Sequence, residues 1–201
     1  AINNLSQWIE EDLEGKLEGD TQRNFELLRG RIHRMEALIN GILQYSRAGR
    51  VKSENVAIDV QSFVQDIVSN LAPPEHVRVE IDSNLPVIQA EKIALDQVFS
   101  NFISNAIKYR SPERQPCITV STHKQDKNIV LKFTDNGLGI DLNKNGHNMF
   151  KIGKVFHKTQ NSKGYGLFMT KTQIEAMGGS IEVESEPDKG TTFIITFINQ
   201  L

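Results

Sequence analysis

The stretch from Asp96 to Tyr109 spaces two carboxamides and an ammonium along one helical face. Asn101, Asn105 and Lys108 fall at i, i+4 and i+7. Val98, Phe102 and Ile103 lie elsewhere on the same helix and can reach a core. A row of two amides and a cation is costly to bury without a ligand. A carboxamide oxygen is a hard, neutral donor suited to Mg2+, which keeps water and nucleotide phosphates as its other ligands. Lys108 is then placed to meet a phosphate. Taken alone, the row also describes a solvated polar face.

A second stretch, Thr134-Asp135-Asn136-Gly137-Leu138-Gly139-Ile140, follows a strand pattern. Its glycines let backbone approach a ligand closely. A carboxylate at a strand end can accept a hydrogen bond from an exocyclic amine such as adenine's. Asp-Asn-Gly is equally ordinary turn chemistry. A third stretch, Lys163-Gly164-Tyr165-Gly166-Leu167, opens a helix. Glycines before a helix N-terminus make an anion site, because free N–H groups point at the phosphate. The same pattern also serves plain helix-start geometry.

These stretches need elements to position them. Residues 1 to about 50 contain no Pro and read as two helices. The first covers Ile2–Leu17, with apolar Ile2, Leu5, Ile9, Leu13 and Leu17, and ends near Gly15 and Gly19. Asp20 or Thr21 then caps the second. There Phe25, Leu28, Ile32, Met35, Ile39 and Ile42 follow a heptad spacing that favours helix pairing. Two such helices cannot bury this stripe alone. A four-helix bundle from two copies completes the core, or the stripe packs on the following domain. Trp8 reads as packing in that bundle.

Gly49, Ser53 and Glu54 mark a joint. The remainder is mixed. Val56–Val60 and Val77–Ile81 read as strands, and Phe63–Leu71 as a helix stopped by Pro73 and Pro74. Ala90–Tyr109 is a long helix closed at Ser111 and Pro112. Cys117–His123 and Ile129–Thr134 form a hairpin around residues 126–128. Gly166–Met177 is a helix that stops at Gly178 and Gly179. Ile181–Ser185 and Thr191–Ile198 close the chain as a second hairpin. Helices and mostly antiparallel strands in separate runs predict an α+β protein with an α/β sandwich. The expected domains are 1–50 and 51–201.

The composition is that of an ordinary soluble protein. Its 201 residues carry 23 basic and 25 acidic side chains, a net charge of -2. That balance argues against nucleic acid as a partner and against a polybasic membrane anchor. A single cysteine, Cys117, leaves no internal disulfide or thiolate metal cluster. No apolar run is long enough to span a bilayer. His76, His123, His147 and His157 show no metal-ligand spacing. The first residues, Ala and Ile in mid-helix style, lead us to expect a piece of a longer chain.

Together the three stretches, in this order and at these distances, closely resemble the catalytic and ATP-binding domain of sensor histidine kinases. That family sits within the superfamily of gyrase, Hsp90 and MutL ATPases, with the Bergerat-type ATP-binding fold. Phe150, Phe156, His157 and Lys158 look like its phenylalanine-containing lid segment. Gly178 to Phe193 is similar to its C-terminal hairpin. The first 50 residues resemble most of a dimerisation and histidine-phosphotransfer hairpin, with Arg34 to Asn40 in its second helix.

The resemblance implies roles residue by residue. Asn105 would ligate Mg2+, and Asn101 would support metal and phosphates. Lys108 would contact phosphate and Tyr109 border the nucleotide. Asp135 would read the adenine amine, Gly137 and Gly139 would give backbone room, and Ile140 would pack on the base. Lys158 would reach the terminal phosphate. Lys163, Gly164, Gly166 and Leu167 would form the phosphate-side loop. Hydrolysing relatives place a Glu four residues before the metal Asn. Asn101 stands there, and an amide cannot act as a base at neutral pH. That favours phosphoryl transfer to a protein group, resting on positioning and charge neutralisation.

The implied whole is the cytoplasmic kinase core of a two-component sensor, with a parent that could be membrane-anchored upstream. It would bind Mg-ATP, dimerise through the hairpin and serve a response-regulator receiver domain. The acceptor histidine of the pattern is absent, so the expected target lies upstream and autophosphorylation within this piece is not expected. His33 lacks the acceptor's context and reads as structural. Ser162 and Lys163 depart from the family's glycine loop. They motivate the alternative of a non-catalytic dimeric signalling module with an impaired nucleotide site. The short lid between Gly139 and Gly164 is expected to be mobile.

Overall fold

The computed structural model describes Leu5, Trp8, Ile9, Leu13 and residues 19–48, 54–125, 128–157 and 164–198. Most of the expected first helix lies outside these residues, as do Gly49, Ser53, Lys158, Ser162 and Lys163. Leu5, Trp8 and Ile9 are helical and exposed. Helix α1 spans Gly19–Ala48. It starts one residue before the expected caps, at Gly19 with φ +58, so Asp20 sits inside the first turn. There its charge complements the helix dipole. Along the heptad stripe Ile32 is buried, while Leu28, Met35 and Ile39 are about half exposed at 48%, 50% and 53%.

Strand β1 is Val56–Asp59, and helix α2 follows without a break as Val60–Leu71. Val60, assigned to the strand by its β-branched side chain, is instead the first helical residue. The reason is Asp59, whose Oδ1 accepts the Ser62 N–H at 2.9 Å and caps the helix. That hydrogen bond holds the Asp59 carboxyl below its usual range. Helix α2 ends at Ala72 in the left-handed region, just before Pro73 and Pro74.

Strands β2 (Arg78–Ile81) and β3 (Val87–Ala90) precede helix α3 (Lys92–Lys108). The sequence reading had no strand at β3. Four residues bounded by Pro86 and Glu91 carry too little pattern, and β3 exists by pairing antiparallel with β1. Strands β4 (Cys117–Gln125) and β5 (Asn128–Asp135) form the expected hairpin. Helix α4 (Leu142–Asn145) is a single turn, capped by Asp141 and followed by a 3-10 turn at Gly146–Asn148. Helix α5 (Gly166–Ala176) leads to the hairpin of β6 (Ser180–Glu186) and β7 (Gly190–Ile198).

Helix α5 stops where Gly178 and Gly179 demand it. Gly178 has φ +78 and donates to Glu175 O at 3.0 Å, and Gly179 donates to Ile174 O at 2.9 Å. This is the two-bond arrangement that satisfies the last carbonyls of a helix.

The main sheet runs β2-β4-β5-β7-β6. Only β2 on β4 is parallel. This is the expected α+β sandwich with a mixed, mostly antiparallel sheet. The core lies between α3 and the sheet, and aromatic rings fill it. Phe99 meets Phe133 with centroids 4.8 Å apart, and Phe102 stacks on Phe193 at 4.7 Å. Leu95, Val98 and Ile103 complete the buried side of α3.

Candidate functional site

Burying one side of α3 decides what the other side presents. With Val98, Phe99, Phe102 and Ile103 in the core, Asn101, Asn105 and Lys108 turn together to half-buried positions on a cleft of about 220 Å3. The structure therefore brings the predicted row to one wall. Asn101 Nδ2 donates to Thr170 Oγ1 on α5 at 2.8 Å. Asn105 Nδ2 donates to Asn101 Oδ1 at 3.4 Å. The Asn105 carboxamide oxygen is the acceptor this chain of bonds does not use. Lys108 Nζ lies 5.3 Å from the Tyr109 ring centroid, a cation–π distance.

Asp135 faces the same cleft from the end of β5. Burial pushes its carboxyl above the usual carboxylate range, opposed by N–H groups of Gly137 and Thr191. The Gly137 N–H donates to Asp135 Oδ1 at 2.8 Å. The loop beyond Asp135 is stapled on its far side. Leu138 N–H donates to Tyr109 O at 2.9 Å and Asp188 N–H to Leu138 O at 2.8 Å. Arg114 donates to Gly137 O at 2.9 Å and also to Asp188 O. Asn136 accepts from Cys117 N–H at 2.8 Å and donates to Gln115 O at 2.9 Å. Ser185 Oγ accepts the Ile140 N–H at 2.8 Å.

The two glycines of this loop have different duties. Gly139 has φ +63, and a Cβ there would overlap the Glu186 carbonyl oxygen; it also borders the cleft. Gly137 does not border the cleft. A Cβ there would sit 2.5 Å from Tyr109 O, so the room it gives is for the staple and not for a ligand. Ile140 lines the cleft.

Met149, residues 154–157 and the start of α5 complete the lining of the cleft. His157 Nε2 donates to Gly139 O at 2.6 Å, which places the ring proton on Nε2. Its ring centroid is 5.7 Å from that of Tyr109. Gly164, at φ +72, packs so closely that a Cβ would be 2.9 Å from the Gly153 carbonyl carbon. Gly153 N–H also donates to Gly164 O at 2.8 Å. A Cβ on Gly166 would be 2.6 Å from Asn101 Oδ1, so this glycine lets α5 begin against α3. The N-cap residue Tyr165 makes no side-chain capping bond to α5, which starts at the cleft with Tyr165, Gly166 and Leu167 among its lining. Such a start suits an anion.

Lys154, Met149, Tyr165 and Thr191 also line the cleft and were not singled out from sequence. Among the described residues no group of three His, Cys, Asp or Glu could hold a metal. The donor set fits a cation that brings its own water and phosphate ligands, as Mg2+ does, and adds the Asn105 oxygen.

Residues 90–200 match the family described as histidine kinase-, DNA gyrase B-, and HSP90-like ATPase. Cyanobacterial phytochrome B of Nostoc sp. is 31% identical over 98% of this chain and 27% of its own length. Sporulation kinase E of Bacillus subtilis is 28% identical over 92% of this chain and 25% of its own. The chain thus spans about a quarter of the length of these relatives. Among solved structures, Acinetobacter baumannii histidine kinase AdeS shares the fold with a TM-score of 0.64 at 18% identity, over 98% of this chain and 95% of that one. With α3, the Asp135 loop, α5 and the final hairpin all inside the matched segment, the chain belongs to the histidine kinase-, DNA gyrase B- and HSP90-like ATPase family, as a sensor histidine kinase catalytic domain.

Proposed function

We propose that this chain is the kinase core of a two-component sensor, binding Mg-ATP and delivering its terminal phosphoryl group to a histidine upstream. The observation that carries this reading is one cleft lined both by Asp135 and by the Asn101, Asn105 and Lys108 row. The half-buried Asp135 carboxylate accepts from the adenine amine, and Ile140 and Met149 flank the base. Asn105 offers its oxygen to Mg2+, which when bound offsets the charge of the phosphates. Lys108 and the start of α5 meet the same phosphates. Lys154 adds a third cation on the lid side, and Lys158 and Lys163 are assigned there by resemblance alone.

Asn101 cannot take a proton from water, and its amide is spent on Thr170 and Asn105. It therefore acts by holding Asn105, which supports phosphoryl transfer over hydrolysis. The exposed Leu28, Met35 and Ile39 on α1 support a homodimer through the residue 1–50 hairpin, with residues 51–201 as the catalytic domain. The phosphoryl group then passes to an aspartate of a response-regulator receiver domain.

The test is labelling of the full-length parent with γ-labelled ATP. Alkali-stable, acid-labile label that disappears in Asn105→Ala is the expected result. A parent that binds nucleotide yet acquires no such label would overturn the kinase reading in favour of a dimeric signalling module.

A further inference from the structure

By its place in the chain, between Phe156 and Lys158, His157 belongs with the cations of the phosphate side. The structure ties its ring to the Asp135 loop instead. His157 Nε2 donates to Gly139 O at 2.6 Å. A carbonyl can only accept, so Nε2 carries a proton in the neutral ring and in the cation alike. The ring also lies against Tyr109, with centroids 5.7 Å apart and planes inclined at 44°, and both residues line the cleft.

The peptide held by this bond is the one that leads into Ile140. Its carbonyl is that of Gly139, and its N–H is that of Ile140, which donates to Ser185 Oγ on β6 at 2.8 Å. An N–H can only donate and a carbonyl can only accept, so neither bond can be reversed. The peptide is thus pinned at one end from the sheet and at the other by His157. Gly139 has φ +63 and no side chain to limit rotation, so the peptide after it needs such pins to keep one orientation. Gly139 is also buried, and a buried carbonyl that loses its partner is costly. Ile140, next in the chain, lines the cleft.

We infer that His157 is a positioning residue for the nucleobase and not a phosphate contact: its Nε2–H holds the Gly139–Ile140 peptide so that Ile140 is presented to the base. The inference rests on the Mg-nucleotide reading above, in which Ile140 flanks the base. It gives the neighbours His157 and Lys158 different duties, one towards the base and one towards the phosphates.

The experiment is titration of the parent chain, His157→Phe, His157→Asn and His157→Gln with two probes. One is adenosine, which has a base and no phosphate. The other is a non-hydrolysable ATP analogue, with and without Mg2+. Phe keeps a ring beside Tyr109 but has no donor. The Asn amide nitrogen stands near the place of Nδ1 and falls short of Gly139, whereas the Gln amide nitrogen reaches the place of Nε2. His157 is half-buried, so these changes leave the core intact. The expected result in Phe and Asn is a loss of roughly fivefold, equal for adenosine and for the analogue, with the gain from Mg2+ unchanged. His157→Gln should stay within about twofold of the parent because it keeps a donor. Weakened binding of the analogue with adenosine spared would make His157 a phosphate contact and overturn the inference. Parent-like affinity in both Phe and Asn, or a Gln variant as weak as Asn, would also overturn it. A parent chain that binds neither probe would instead sink the underlying reading, and this inference with it.

Discussion

The two ends of the cleft are built differently. Around Asp135, three segments are tied by Arg114, Asn136, Ser185 and the backbone of Leu138 and Asp188, and the glycines fit against carbonyl oxygens. Around the start of α5, the described residues of the lid meet the rest through Gly153–Gly164 and His157–Gly139, while Ile152 and Val155 stay exposed. Both sides are rich in glycine, and close packing demands it at Gly139, Gly164 and Gly166 but not at Gly153. At the base end it permits close packing that rigidifies. At Gly153, φ is +79 with nothing within 4 Å of a would-be Cβ, so the glycine serves the left-handed backbone alone. On the proposed reading, the base would meet the densely tied Asp135 side and the phosphates the side that has fewer ties among the described residues.

Substitutions at equivalent-looking positions separate the two ends. Gly139→Ala should be the most damaging, because a Cβ there overlaps backbone that cannot move independently. A loss of about 3 kcal/mol in denaturant unfolding is expected. Asp135→Asn comes next. It replaces a charged acceptor and should weaken adenine nucleotide binding about tenfold, roughly 1.4 kcal/mol.

The same Asp135 substitution should change stability with pH in a defined direction. The folded-state pKa of Asp135 is raised above 3.8, so its favourable contribution is full below that value and lost as pH rises through the folded pKa. The melting temperature of Asp135→Asn relative to the parent should therefore climb across that window. Asp59, lowered by its cap bond to Ser62, and Asp141, lowered first by the Lys144 ammonium and then by its cap bond to Lys144 N–H, act in the opposite sense and lose their contribution on acidification.

Arg114→Ala should cost about threefold in nucleotide affinity and about 1 kcal/mol in stability. Arg114→Lys should not restore either, because an ammonium cannot fork to the Gly137 and Asp188 carbonyls. Gly153→Ala should be the mildest, costing about 1 kcal/mol for the left-handed backbone and leaving nucleotide affinity within about twofold. Equal effects at Gly139 and Gly153 would erase the contrast between the ends.

Much of this was legible from sequence because it is local. The i, i+4, i+7 row, the Asp135 loop and the Gly178–Gly179 stop each lie within one or two helical turns of chain. So do the hairpins, whose alternation is long enough to read. What stayed hidden depends on partners far away. β3 is a strand because β1 lies beside it. Gly137 looked like a ligand-facing glycine, but it faces a carbonyl 28 residues earlier in the chain, that of Tyr109. Arg114 and Thr170 act across 74 and 69 residues, and no spacing rule connects them to the site. Asn101 is picked out by type and spacing, but whether it meets a cation or holds Asn105 depends on which way its amide turns.

The central claim is that one cleft reads the base through Asp135 and the cation through Asn105. Calorimetric titration with a non-hydrolysable ATP analogue, with and without Mg2+, tests it on the parent chain, Asn105→Ala and Asp135→Asn. The account predicts saturable binding strengthened by Mg2+ in the parent. Asn105→Ala should lose that strengthening while keeping its Mg-free binding, and Asp135→Asn should weaken both. Binding that ignores Mg2+, or an Asn105→Ala chain that responds to it as the parent does, would contradict the account.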